Sequence, residues 1–449
     1  MNKSKQVAVQ TGVRPLHLLL WILWVTAAGW ICSAQAFDGR VVSAINGQAI
    51  AQAMVVADGE HWCRTDEDGY FTFGPDLTPT AVTVRAVGYA RGRFNVTALA
   101  SPPVSPAVPV VLRLSTIRPR ALYLSFHGIG SELLRGDALA LITQTSLNAL
   151  VIDVKGDRGW VPYRSAAVAA TGLGPQTPIT VADMPALMKD LRGRGIYLIA
   201  RIVVFKDDPL ANRHPQWAVR DAHGAVWKDR EDLAWIDPFQ TAAWEHSLAL
   251  AEEAAQLGFD EVQFDYLRFP DAVGLSFSRN NTEAGRVAAI NGFLMAAQRR
   301  LQRYNVFMAA DIFGYVAWNL DDTQIGQQLE ALAEQVDYLS PMLYPSGFSF
   351  GIPEHRDPMS APYELVEHSL RRAMQRTGLP GLRFRPWLQA FRDYAFDHRK
   401  FGAHEIGRQI DAADALGTDG WMLWNPRNRY SAAWLKPAPA AKRLPDAAP

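Results

Sequence analysis

Beyond residue 120 the chain repeats one unit, an apolar run of strand length followed by a longer stretch with apolar residues at helical spacing. The runs are ALYLSFHG (121–128), ALVIDVKGD (149–157), YLIARIVVF (197–205), EVQFDYLRF (261–269), FMAADIFGY (307–315), VDYLSPMLYP (336–345), RFRPWLQAF (383–391) and GWMLWNP (420–426). Between them, stretches such as ADMPALMKDLRGRG, TAAWEHSLALAEEAAQLG and RVAAINGFLMAAQRRLQRY read as amphipathic helices, with Gly195 and Gly258 as stops. Eight such units over about 300 residues predict an α/β fold of the (β/α)8 TIM-barrel type. The rival is a doubly wound open sheet. It would carry a glycine-rich turn after its first strand, where FHGIGSELL offers only HGIG.

Upstream the texture differs. Residues 38–115 hold short alternating runs (GRVVSA, AMVVAD, GYFTFG, AVTVRAVGY, VPVVLRL) broken by turn residues, which predicts a small all-β sandwich ahead of the barrel. The prolines of ALASPPVSPAVP cannot donate ladder hydrogen bonds, so that stretch reads as a loop leading to the last strand. At the N-terminus Lys3, Lys5 and Arg14 precede LHLLLWILWVTAAGWIC and then Ala34-Gln35-Ala36, the pattern of a secretory signal cut after Ala36. The division expected is 1–36 signal peptide, 37–116 sandwich, 117–436 barrel and 437–449 flexible tail. The protein is then secreted or periplasmic, with no stable membrane insertion. An uncleaved membrane anchor is the alternative, and bulky Trp30 and Ile31 argue against a lipid anchor at Cys32. Signal removal leaves Cys63 alone, so no disulfide forms within one mature chain. With 45 basic and 45 acidic residues, no excess of charge calls for nucleic acid or an anionic membrane surface as partner.

In a barrel enzyme the chemistry sits at the C-terminal ends of the strands, and polar residues gather there. Ser125 and His127 end the first run, Asp153 and Lys155 share a face on the second, and Arg201 lies in the third. Gln263 and Asp265 share a face on the fourth, with Arg268 following where the strand becomes a loop. Asp311 is in the fifth run, Tyr344 ends the sixth, Gln389 ends the seventh, and Trp424 with Asn425 ends the eighth. Each would cost about 1–3 kcal/mol if buried unpaired, so their concentration points to a polar pocket at the barrel mouth.

The phrases VIDVKGDRGWVPYRS, ARIVVFKDDPLANRHPQWAVRDAHGAVWKD, AWIDPFQTAAWEHSLALAEEAAQLGFDEVQFDYLRFP, ADIFGYVAWNLDDTQIGQQLE, VDYLSPMLYPSGF and GTDGWMLWNPRNRY span 121–430. They resemble a family of bacterial barrels classed as glycoside hydrolases by similarity to other sugar-cleaving barrels. That family often has a histidine after Tyr-Pro-Ser, where this chain has Gly347. DGRVVSAINGQAIAQAMVVADG, TDEDGYFTFG and VTVRAVGY resemble carboxypeptidase-regulatory-like and starch-binding-like sandwiches, implying an accessory module, stabilising or sugar-binding, with a spacer as the other reading.

Glycoside hydrolysis needs two carboxyl groups, one protonated and one ionised. Asp265 and Asp311 come from neighbouring strands about 5 Å apart, the short separation of a retaining mechanism. The expected roles are Asp265 as nucleophile and Asp311, in the more apolar setting, as acid/base, with Asp153 able to replace either or to orient the sugar with Lys155. Lys155 and Arg201 are expected to support the site, not to react. Eleven of fourteen tryptophans lie outside the signal, and Trp424 is the foremost candidate for stacking on a sugar ring. No cofactor or metal is expected. A metal-dependent hydrolase on the same barrel would present paired histidines, whereas the first strand supplies only His127 and the chain has no HxH or HxxxH pair. A non-catalytic carbohydrate-binding barrel remains the other reading, since it could keep the same residues.

Overall fold

The computed structural model describes residues 37–74, 77, 79–96, 109–173 and 178–438. The signal, most of the proline-rich stretch and the last eleven residues lie outside it. The expectations made for them are therefore outside the described residues.

The sandwich comprises β1 (Phe37–Ser43), β2 (Met54–Ala57), β3 (His61–Arg64), β4 (Tyr70–Phe73), β5 (Ala81–Arg85), β6 (Gly92–Asn95) and β7 (Val110–Leu114). They form two sheets, β4-β1-β7 and β3-β2-β5-β6, closed over Val41, Val55, Phe71, Val82, Val84 and Leu112. β3 and β6 carry no apolar run and were not foreseen. Both are edge strands of the second sheet, where exposed polar side chains are tolerated and the alternating pattern fades.

All eight expected barrel strands are present: β8 (Arg120–Leu124), β9 (Ala149–Lys155), β10 (Tyr197–Val203), β11 (Glu261–Asp265), β12 (Phe307–Phe313), β13 (Tyr338–Met342), β14 (Trp387–Gln389) and β15 (Trp421–Trp424). They are parallel and close into a ring through the β15–β8 pairing. Alternation along each strand separates two cores. Leu122, Ile152, Leu198, Val262, Ala310, Leu339 and Leu423 face the helices, while Tyr123, Val151, Ile199, Ala309, Tyr338, Trp387 and Met422 fill the interior. The helix Thr241–Leu257 stops at Gly258, whose φ of +93° suits glycine. A Cβ there would also lie 2.6 Å from Arg192 Nη1, so the turn into β11 requires glycine.

The barrel floor is a buried ion network. Arg385 pairs with Glu261, reaches Asp419 at 3.0 Å and lies over the Tyr338 ring at 4.1 Å. The sandwich docks beneath it. Asn305, in a left-handed turn before β12, donates to the backbone oxygens of Met54 (3.2 Å) and Thr83 (2.9 Å), and Arg85 pairs with Asp337. At the far end the chain stays attached past 436, because Pro437 bridges Thr145 and Ala438 N donates to Gln144 O at 3.1 Å.

Candidate active site

Arg201 organises the mouth. Its Nε and Nη2 both donate to Asp265 Oδ2 (2.8 and 2.6 Å), Nη1 to Asp153 Oδ1 (2.7 Å) and Nη2 to Asp157 Oδ1 (2.8 Å). Burial opposes its charge, yet Asp265, Asp157 and Asp153 together push the guanidinium pKa up. Asp265 Oδ1 accepts from the backbone N–H of Tyr266 at 2.6 Å. Tyr266 has φ +47°, an unusual conformation for a bulky residue, so the backbone is strained next to this carboxyl group. Asp153 is tied down by Tyr123 OH (2.7 Å), Phe126 N (3.2 Å) and Arg201. Burial pushes its pKa up to about 6, with Arg201 opposing.

Asp311 is different. It is fully buried, Oδ1 accepts from Trp387 Nε1 at 2.7 Å, and Oδ2 has no hydrogen-bond partner. Burial first, then the charge of Asp265, pushes its pKa well above the carboxylate range, against Arg201. Two carboxyl groups close enough to influence each other thus sit in opposite settings: one forked by a guanidinium, the other buried, with a raised pKa that favours its protonated form. Tyr344 lies beside both; burial and the charges of Asp311 and Asp265 raise its hydroxyl pKa. Tyr344 is half-buried, whereas Asp311 is fully covered.

Other expected residues land elsewhere. Lys155 does not line the mouth. The β9–β10 register shifts between Arg201 and Ile202, so Asp153 opposes Arg201 but Lys155 opposes Ile202, and the bulge turns Lys155 outward. There it donates to Asp207 Oδ2 (2.6 Å) and Ser247 Oγ (3.2 Å) beneath the helix Thr241–Leu257. The idea that Asp153 and Lys155 act together is therefore corrected. Gln389 is committed to Ser346, donating to Oγ at 2.7 Å and accepting from N at 3.0 Å. Asn425 donates to Ala390 O just after β14 (2.7 Å) and to Arg429 O in its own loop (2.8 Å). Gln263 lies deeper, donating to Ser340 Oγ at 3.1 Å, with Oε1 unpartnered.

His127 stands exposed on the short helix Phe126–Gly130, which Ser125 caps. Arg268 lies over the rings of Trp235 (4.9 Å) and Tyr266 (5.3 Å), and its Nη1 donates to Phe269 O at 3.0 Å. Trp424 stacks on Tyr123 at 3.9 Å with Arg201 at 4.8 Å from its ring. Its ring is thus partly used within the protein. Asp157, Tyr123 and Trp387 were not singled out for the site, although stepping back by two from Gln389 reaches Trp387 on the same face, and from Ser125 reaches Tyr123.

Residues 121–430 match the family model described as "Putative glycosyl hydrolase domain". The chain belongs to that family. Among solved structures it is similar to a hypothetical protein from Ruminiclostridium thermocellum ATCC 27405, with 34% identity, 42% of this chain and 96% of the other covered, and a TM-score of 0.38. It is also similar to the PgaB (BpsB) glycoside hydrolase domain from Bordetella bronchiseptica, with 14% identity, 71% and 99% covered, and a TM-score of 0.52. A third is the glycoside hydrolase domain of PelA from Pseudomonas aeruginosa, with 13% identity, 69% and 96% covered, and a TM-score of 0.40. Of these three, the Bordetella domain supports the barrel fold and nothing finer. No protein of curated function matches the chain. Family membership supports a glycosidase-like function.

Proposed function

We propose that the protein is a retaining glycoside hydrolase acting on a poly- or oligosaccharide outside the cytoplasm, with Asp265 as nucleophile and Asp311 as general acid/base. The observation that carries this reading is Asp311 Oδ2, buried, unpartnered and on a carboxyl group whose pKa is raised. A buried polar atom without a partner costs about 1–3 kcal/mol, a loss that a fold retains where function uses it. Trp387 satisfies Oδ1, which leaves Oδ2 as the oxygen to carry the proton for the scissile bond once the side chains covering Asp311 move aside for the substrate. Asp265, aligned by Arg201 and Tyr266 N–H, attacks the anomeric carbon. Asp311 then takes a proton from water in the second step. Asp153 positions Arg201 and does not react.

The test is turnover on a polysaccharide panel, beginning with the producing organism's own surface and secreted glycans. Asp265→Asn should lose several orders of magnitude whatever the leaving group. Asp311→Asn should keep most of its first-step rate on substrates with activated leaving groups, and azide should rescue its second step with retained configuration. Near-normal turnover by both folded variants would reject the pair. Glycan binding by the wild type without any turnover would favour the non-catalytic reading.

A further inference from the structure

Beside the candidate site, a recess of about 530 Å³ opens among Phe313, Tyr315, Trp318, Phe350, Arg356 and Arg372. That volume lies within the usual range of ligand pockets, about 300–1,000 Å³. Phe313 ends β12, the strand bearing Asp311. Two residues of strand place Phe313, one wall of the recess, about 7 Å beyond Asp311 toward the C-terminal end of β12.

Its walls are aromatic and held in place. Phe350 is 78% exposed, which is unusual for so large an apolar ring. Its backbone N–H donates to Tyr315 OH at 2.9 Å, and that hydroxyl donates to Gly351 O at 3.2 Å. Trp318 is fixed by Nε1 donating to Ser369 Oγ at 2.9 Å, and Arg372 lies over its ring at 5.2 Å.

The charge of the lining is one-sided. Arg356 and Arg372 are its only ionisable groups apart from the Tyr315 phenol. Among the described residues neither forms an ion pair, whereas Arg371 and Arg376, on the helix Pro362–Thr377 that also carries Arg372, pair with Glu367 and Glu330. Arg356 donates to Phe350 O at 3.2 Å, and Arg372 Nη2 to Trp318 O at 3.3 Å, while its Nε has no partner. Flat rings suit the apolar face of a sugar, and unpaired guanidinium forks suit a carboxylate. The hydroxyls of a neutral sugar accept from guanidinium N–H groups too, but only a carboxylate would also balance their charge.

We propose that this recess binds an acidic sugar residue of the uronate class and serves as a subsite for a polyanionic glycan lying across the barrel mouth. The claim of a subsite rests on the glycosidase reading above; the claim of binding does not.

The test uses the full mature chain carrying Asp265→Asn, so that binding is read without turnover. Galacturonate and glucuronate oligomers are titrated against their carboxyl-reduced, neutral counterparts by calorimetry and tryptophan fluorescence. At least one acidic oligomer should bind tenfold or more tightly than its neutral counterpart, with affinity falling as salt rises. Arg356→Gln, on an exposed loop, should weaken binding at least threefold, and Arg356→Gln with Arg372→Gln at least tenfold. Arg371→Gln should leave it unchanged. Equal binding of the neutral oligomers, no binding of either acid, or indifference to the arginine changes would overturn the proposal. Binding of uronates by a wild type that cleaves no glycan would sink the glycosidase reading and leave the recess standing. Cleavage of neutral glycans without uronate binding would do the reverse.

Discussion

At the scale of single residues, Asp311 ties stability and activity to pH in the same sense, both falling on the alkaline side. Its raised pKa means the folded protein holds the proton more tightly than the unfolded chain does, so stability is lost as pH rises through the folded value. Asp311→Asn cannot ionise and should melt at or above the wild-type temperature, with the gap widening in alkali; a lower melting temperature throughout would contradict this. Activity needs the protonated acid, so kcat/KM should fall on the same alkaline side. That limb should vanish in Asp311→Asn assayed with an activated leaving group. Asp153, pushed up to about 6, should set the acid limb, because protonation removes an acceptor from Arg201. Lys155 behaves otherwise. Lys155→Met leaves Asp207 buried without its cation and should cost roughly 3–5 kcal/mol in denaturant titrations. The pH profile of activity should not move, because Lys155 faces Asp207 and not the carboxyl groups of the mouth.

At the scale of elements, strand existence was legible because buried parallel strands need apolar runs, and all eight barrel runs became strands. Face assignment was legible only while alternation held. One extra residue on β9 turned Lys155 from the mouth to the helix layer, and such a bulge leaves no mark in an apolar pattern. The pairing of Asp265 with Asp311 follows from strand order. The Arg201 fork does not, since it links three chain segments through side-chain geometry. Trp387 was obscured for another reason: most strand tryptophans pack cores, and only the indole N–H directed at Asp311 distinguishes this one. The floor network tests the same point. Arg385→Met strands Glu261 and Asp419 and should cost about 3–5 kcal/mol, whereas replacing all three by apolar residues of similar volume should recover most of the loss. Equal loss in both variants would mean that packing, and not the buried charge, dominates there.

At the scale of the whole molecule, β7 decides how the two domains separate. It follows the proline-rich stretch in sequence yet pairs along its length with β1, and β8 starts at Arg120 soon after β7 ends at Leu114. The division near residue 116 is therefore proposed as the functional boundary. Cleavage within 97–108 should leave β7 on the barrel fragment and still seated in the sandwich. The two pieces should co-elute under native conditions and part only in denaturant. Clean release of the sandwich on nicking would show that β1–β7 pairing and the Asn305 contacts do not hold the domains together. The same docking under the barrel floor leaves the mouth end of the barrel, with the exposed His127 and Phe350, free of the sandwich.

The most direct measurement is covalent trapping. The protein is incubated with a panel of 2-deoxy-2-fluoro glycosyl fluorides, followed by intact mass and peptide mapping. The account predicts one fluorosugar added per molecule on Asp265, at a slower rate in Asp311→Asn only where the leaving group needs protonation. Labelling of Asp153 or Asp311, or wild-type hydrolysis that inverts the anomeric centre, would contradict it.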